Sequence, residues 1–137
     1  MNTDPDFAIT PLADRLEQLF VKHGSERELS DGDVLYDEGS SPEEVHLVRE
    51  GCIVLSAGGP GRRRHIADKR AGELVGESAA LDRGPRTVSA LAHGDAVVLT
   101  IRSTRFRREL QSDPALCYEF AVQLSRLLRT AATRSPN

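Results

Sequence analysis

The sequence predicts an α+β domain: a closed or nearly closed antiparallel barrel or sandwich of about seven or eight short strands, with one helix before it and two after it. Three observations carry that expectation. Apolar residues recur at helical spacing near both ends of the chain. Between Glu26 and Arg102 the texture changes to short apolar runs cut by turn residues. The length of 137 residues, with 39% hydrophobic and 28% charged, suits one globular domain and argues against a two-domain enzyme.

The elements follow in order. Thr10 and Pro11 read as N-cap and first helical position, and Leu12, Leu16, Leu19 and Phe20 then keep one helix face apolar until Gly24. Strands are expected around Val34-Leu35-Tyr36, Val45 to Val48, Cys52 to Leu55, Arg64 to Lys69, Thr87 to Ala92 and Ala96 to Ile101. The turns between them are Glu38-Gly39-Ser40, Glu50-Gly51, Gly58 to Arg63 and His93-Gly94-Asp95. Ser103 is expected to cap a short helix carrying Phe106 and Leu110, and Asp113-Pro114 to start a longer one. Along that last helix Leu116, Phe120, Leu124, Leu127, Leu128 and Ala131 form one apolar stripe. The domain is drawn over 11–133, with 1–10 a polar extension and 134–137 a tail.

Composition excludes several functions. Eighteen Lys and Arg against 21 Asp and Glu leave a net charge of -3, so no bulk positive field is available for a nucleic-acid backbone. The run Arg62-Arg63-Arg64 sits in a hairpin turn without aromatic neighbours, in a chain only 4% aromatic, and reads as a solvated loop. Cys52 and Cys117 show neither a disulfide framework nor CxxC spacing, which fits a reducing cytoplasm. No signal peptide and no spanning apolar run is visible. His23, His46, His65 and His93 lack the clustered spacing of a metal site and read as scattered surface or strand residues.

One stretch breaks the strand pattern. Gly72 and Gly76 bracket an apolar pair, Glu77 to Leu81 has helical texture, and Gly84-Pro85 stops it before Arg86 enters the next strand. A first helical turn leaves backbone N–H groups free for an anion, and Gly76 lets a ligand approach without a Cβ in the way. Glu77 and Arg86 flank this turn and can face one cavity. Arg in a small barrel is costly unless matched by an anion, for which phosphate is the natural partner. A carboxylate beside that phosphate makes sense as an acceptor for sugar hydroxyls.

These residues resemble the phosphate-binding cassette of the cyclic nucleotide-binding domain family. The similarity lies in Gly76-Glu77, a small or apolar run, then Pro85-Arg86-Thr87 and Ser89, and it extends to Gly32-Asp33-Val34-Leu35, Glu38-Gly39, the Val48 to Gly51 turn and the flanking helices. The resemblance implies an eight-stranded antiparallel β roll (jelly-roll-like) flanked by an N-terminal helix and two C-terminal helices. It implies a sensor of cAMP or cGMP rather than an enzyme, with no further cofactor. Arg86 would hold the cyclic phosphate, Glu77 the ribose 2′-hydroxyl, and the N–H groups of Ser78 and Ala79 would complete the cradle, with Gly76 along the sugar. Thr87 would supply a hydroxyl near phosphate and base, Leu55 and Ala67 an apolar rest for the base, and Thr130 a polar contact from a closing lid at Leu127 to Thr133. Ser78, Val75 and Val88 depart from the family's usual aliphatic, aromatic and Ala, which bears on affinity and base choice.

The expected partners are the nucleotide, an effector domain or protein outside this chain, and a second copy along the last helix. Two other classes stand beside this reading. One is a ligand-free interaction or dimerisation module that keeps the fold; the other is a cupin-like metalloprotein.

Overall fold

The computed structural model describes residues 12–134. Thr10 and Pro11, expected to cap the opening helix, lie outside them. That helix, α1, runs Leu12–His23. The strands are β1 (Ser25–Leu29), β2 (Val34–Tyr36), β3 (Glu44–Ala57), β4 (Arg64–Lys69), β5 (Leu74–Val75) and β6 (Ser89–Arg102). A short helix α2 (Glu77–Asp82) interrupts them, and α3 (Ser103–Ser112) and α4 (Pro114–Arg134) follow.

Two long strands organise the sheet. β3 and β6 pair antiparallel along their length, from Glu44 opposite Arg102 to Ser56 opposite Ser89. β1 and β2 pair with β6, while β4 and β5 pair with β3, so the described strands form one six-stranded antiparallel sheet. The turns expected at Glu50-Gly51 and His93-Gly94-Asp95 are not turns. The β3–β6 register shifts between Val48 and Glu50 and again between Glu50 and Cys52, and Gly51 and Gly94 hold φ of 83° and 76°. These are bulges at which both strands bend together, so four expected short strands are two long ones. A Cβ on Gly51 would run into the Asp95 carbonyl oxygen.

Adjacent residues of the strands feed two cores, because side chains alternate across a strand. Leu47, Leu74 and Leu99 join Leu16, Phe20, Phe106, Leu110, Leu116 and Phe120 in a cluster beneath the helices. Their neighbours Val48, Val75 and Val98 join Leu29, Leu35, Ile53, Ala90, Ala92 and Ala96 in the other. With both faces buried, these strands read as continuous apolar runs. Phe106 is the hub of the helical layer, with its ring centroid 6.0 Å from Phe20 and 5.8 Å from Phe120.

The helix starts differ from each other. Asp113 caps α4 as expected: its Oδ1 accepts the Leu116 N–H at 3.1 Å. Ser103, expected as a cap, is instead the first residue of α3, and Arg102 precedes it without a side-chain cap bond. The buried Ser103 hydroxyl donates to the Pro42 carbonyl at 2.7 Å and its N–H to the Glu43 carbonyl at 3.0 Å. The hydroxyl ties α3 to the segment entering β3 rather than closing the helix end. On α4 the apolar stripe outlasts the core: Leu116 and Phe120 are buried, whereas Leu127 and Leu128 are 43% and 71% exposed. Among the described residues no helix is long and apolar enough to cross a membrane.

Candidate functional site

Gly76 occupies the left-handed region at φ 82° and starts α2 without a side-chain cap. Its conformation suits glycine alone at low cost, and a Cβ there would fall 2.5 Å from Arg86 Nη1 and 3.2 Å from the Tyr36 ring. The space that Gly76 leaves open is therefore filled by the protein's own guanidinium and not reserved for an incoming ligand. α2 is held by Gly76 O to Ala80 N at 3.4 Å and ends at Arg83, which takes φ 63° and donates its N–H to Ala79 O at 2.8 Å. The stop thus falls at Arg83, ahead of the expected Gly84-Pro85; Gly84 instead donates its N–H to Asp82 Oδ1 at 2.8 Å.

Arg86 is 4% exposed, but it does not begin the strand as expected: it lies between α2 and β6, three residues before Ser89, with its backbone bonded to Gly39 and Ser40. Its terminal nitrogens already have acceptors: Nη1 donates to Gly76 O at 2.7 Å and Nη2 to Glu44 O. The guanidinium also lies 4.1 Å from the Tyr36 ring centroid, a cation–π contact. Only Nε is buried without a partner. This corrects the expectation that an anion alone makes the site tolerable, since two backbone carbonyls and a ring do part of that work. Among the described residues Arg86 forms no salt bridge, with Glu77 or with any other carboxylate.

A cavity of about 240 Å³ opens beside this arrangement. Of the expected residues, Gly76, Glu77, Ser78, Ala79, Arg86 and Thr87 line it, and Leu55 does so from β3. Ala67 does not. It pairs with Leu55, but the β3–β4 register shifts just beyond, where Ser56 meets His65, and the extra residue Ile66 lines the cavity instead. Thr130 is not brought to the cavity either: it is exposed on α4, with Oγ1 donating to Arg126 O at 3.0 Å.

The electrostatics are those of a half-closed site. Burial pushes the Glu77 carboxyl above the usual carboxylate range, against the pull of its own backbone N–H, Lys69 and Arg86. Burial likewise pushes Tyr36 up to about 12. Behind Tyr36 lies His46, stacked at 6.2 Å and 1% exposed, with Nδ1 2.8 Å from Thr100 Oγ1. Burial first, then Arg86 and Arg27, lower its pKa to about 3, so the ring is neutral. Tyr36, His46, Ile66 and Lys69 are the residues that sequence reasoning missed. Tyr36 and His46 sat in apolar strand runs, which was a signal only for burial. Among the described residues no three His, Cys, Asp or Glu side chains are grouped to hold a metal.

A cavity joins the Gly-Glu helical turn to a buried Arg in the segment leading into β6, and the sequence model of the cyclic nucleotide-binding domain matches residues 26–113. The chain belongs to the cyclic nucleotide-binding domain family. Its relatives include the anaerobic regulatory protein of Bacillus subtilis, 30% identical over 93% of this chain and 52% of that protein. The cyclic AMP receptor protein of Thermus thermophilus is 28% identical over 88% of this chain and 56% of its own length. The crystal structure of the Thermus thermophilus catabolite activator protein superposes with a TM-score of 0.75 at 26% identity, covering 93% of this chain and 59% of that one. The cyclic nucleotide-binding domain seen here thus spans about half the length of the curated relatives it matches.

Proposed function

We propose that this cyclic nucleotide-binding domain is a cytoplasmic sensor, not a catalyst, that takes cAMP or cGMP into the cavity beside Arg86. The observation that carries the reading is the buried guanidinium, with an unpartnered Nε, in the same cavity wall as the carboxylate of Glu77 and the first turn of α2. In this reading the cyclic phosphate meets Arg86 and the N–H groups of Ser78 and Ala79, and the ribose hydroxyl donates to Glu77. Leu55 and Ile66 supply the apolar rest for the base, and Thr87 a hydroxyl at the rim.

The signal leaves by two contacts. Arg86 holds the Glu44 carbonyl, and the segment just before it holds Ser103 at the start of α3 through the carbonyls of Pro42 and Glu43. A phosphate that draws one Arg86 nitrogen away from Glu44 loosens the same segment that anchors α3. From the other side, Arg107 of α3 donates from Nη1 to the Ala80 carbonyl of α2 at 2.7 Å. Both contacts give the ligand a differential hold on the C-terminal helices, without which no ligand could shift them. The effector lies outside the described residues, and the exposed Tyr118, Leu127 and Leu128 of α4 suit a second copy of the chain or that effector.

The ligand-free module remains a second reading, favoured by the two carbonyls that already satisfy Arg86. Thermal unfolding with and without cyclic nucleotide separates the two. A ligand at about 100 times its Kd stabilises by about 2.7 kcal/mol and raises Tm by several degrees; an unmoved Tm at millimolar cAMP and cGMP supports the ligand-free module. Loss of ligand-dependent hydrogen-exchange changes in α4 on Arg107→Met or Ser103→Ala, with binding retained, supports the signal path.

A further inference from the structure

Lys69, the last residue of β4, lines the same cavity as Arg86 and Glu77, and among the described residues it takes part in no salt bridge. The ionisable lining is thus two cations and one carboxylate, with Tyr36 neutral. Buried charge is tolerated when it is balanced. If Glu77 and Arg86 faced the cavity alone they would cancel, and an entering phosphate monoanion would leave the filled site with an unmatched negative charge. With Lys69 the empty cavity carries one positive charge, and a monoanion brings it to neutrality.

We propose that Lys69 is a ligand-recognition residue, the counter-charge that frees Arg86 for the phosphate and makes the cavity complementary to a nucleotide carrying a single negative charge. The proposal deepens the sensor reading and rests on it. Three observations support it. Both terminal nitrogens of Arg86 are engaged by backbone carbonyls, so its charge reaches the cavity with fewer free donors than an unengaged guanidinium has. Lys69 is half-buried, so its ammonium meets an anion in the cavity with less screening by water than at the open surface. The charges that bear on Glu77 from the surrounding elements are Lys69 of β4, Arg86 and the carboxylate of Glu73, so Lys69 and Arg86 are the two cations that, after its own backbone N–H, favour its ionised form.

The test compares wild type, Lys69→Gln and Lys69→Arg by calorimetric titration with cAMP, cGMP and uncharged adenosine at low and moderate salt. The expected result is about a tenfold loss of cyclic nucleotide affinity in Lys69→Gln, a shallower salt dependence, little change toward adenosine, and recovery in Lys69→Arg. A second readout needs no ligand: the Glu77 carboxyl, followed by NMR, titrates at higher pH in Lys69→Gln than in wild type. Cyclic nucleotide binding by wild type with equal affinity and salt dependence in Lys69→Gln overturns the role of Lys69 alone. An unmoved Glu77 titration overturns the charge pairing, and failure of wild type to bind any cyclic nucleotide overturns the sensor reading and this inference with it.

Discussion

Arg86 lies directly under Gly76, its Nη1 donating to the Gly76 carbonyl at 2.7 Å while the glycine's missing Cβ leaves room for the guanidinium. One residue is the N-cap of α2, the other lies three residues before β6, and each requires the other's identity. Gly76→Ala should therefore fail twice. Left-handed backbone costs a residue with a Cβ about 1–2 kcal/mol, and the Cβ displaces Arg86 from its carbonyl. The expected outcome in urea unfolding is a loss of about 2 kcal/mol, together with loss of nucleotide binding. A variant with wild-type stability would show that the turn relaxes without strain.

Glu77 sets a pH dependence whose sign follows from its environment. Burial raises its folded pKa above the unfolded value, so the folded state binds the proton more tightly. The stability this contributes is complete below the unfolded carboxylate pKa and is lost as pH rises through the folded one. Glu77→Gln, which cannot ionise, should gain stability relative to wild type on going from pH 4 to pH 7. Denaturant titrations at the two pH values measure it, and an equal difference at both would mean that Glu77 is solvated.

His46 has the opposite sign. Its folded pKa of about 3 lies below the ordinary 6.5, so the unfolded chain takes up a proton that the folded ring refuses. Its contribution is whole above about 6.5 and drains away as pH falls toward 3. Imidazole NMR resonances should report a neutral ring at pH 5. His46→Leu should cost about 1–3 kcal/mol at pH 7 through the stranded Thr100 hydroxyl, and less than that at pH 4. A ring that titrates near its ordinary pKa would contradict the buried stack with Tyr36.

The architecture was largely legible, because the apolar spacing that marks Leu16, Phe20, Leu116 and Phe120 is the same spacing that buries them. Strand number was not. A glycine in a hairpin turn and a glycine in a bulge leave the same mark in a sequence, so Gly51 and Gly94 read as chain reversals where the structure has bends in two long strands. The site divides in the same way. Gly76, Glu77 and Arg86 were legible because their chemistry is local to one turn. Ile66 replaced Ala67 because a register slip cannot be seen along a single strand. Ser103 illustrates the reverse error: a good capping residue was claimed by the distant Pro42 carbonyl, a tertiary contact that propensity does not register.

In the sensor reading the buried guanidinium of Arg86 receives a cyclic monophosphate in the cavity beside it. Calorimetric titration of the folded protein with cAMP and cGMP, beside Arg86→Lys, tests it most directly. Lysine keeps the charge but cannot reach the carbonyls of Gly76 and Glu44 as a planar fork does. The expected result is one site of about micromolar affinity, roughly −8 kcal/mol, in wild type and at least a tenfold loss in the variant. Heat-free titrations of a well-folded wild type, or equal affinity in both proteins, would contradict it.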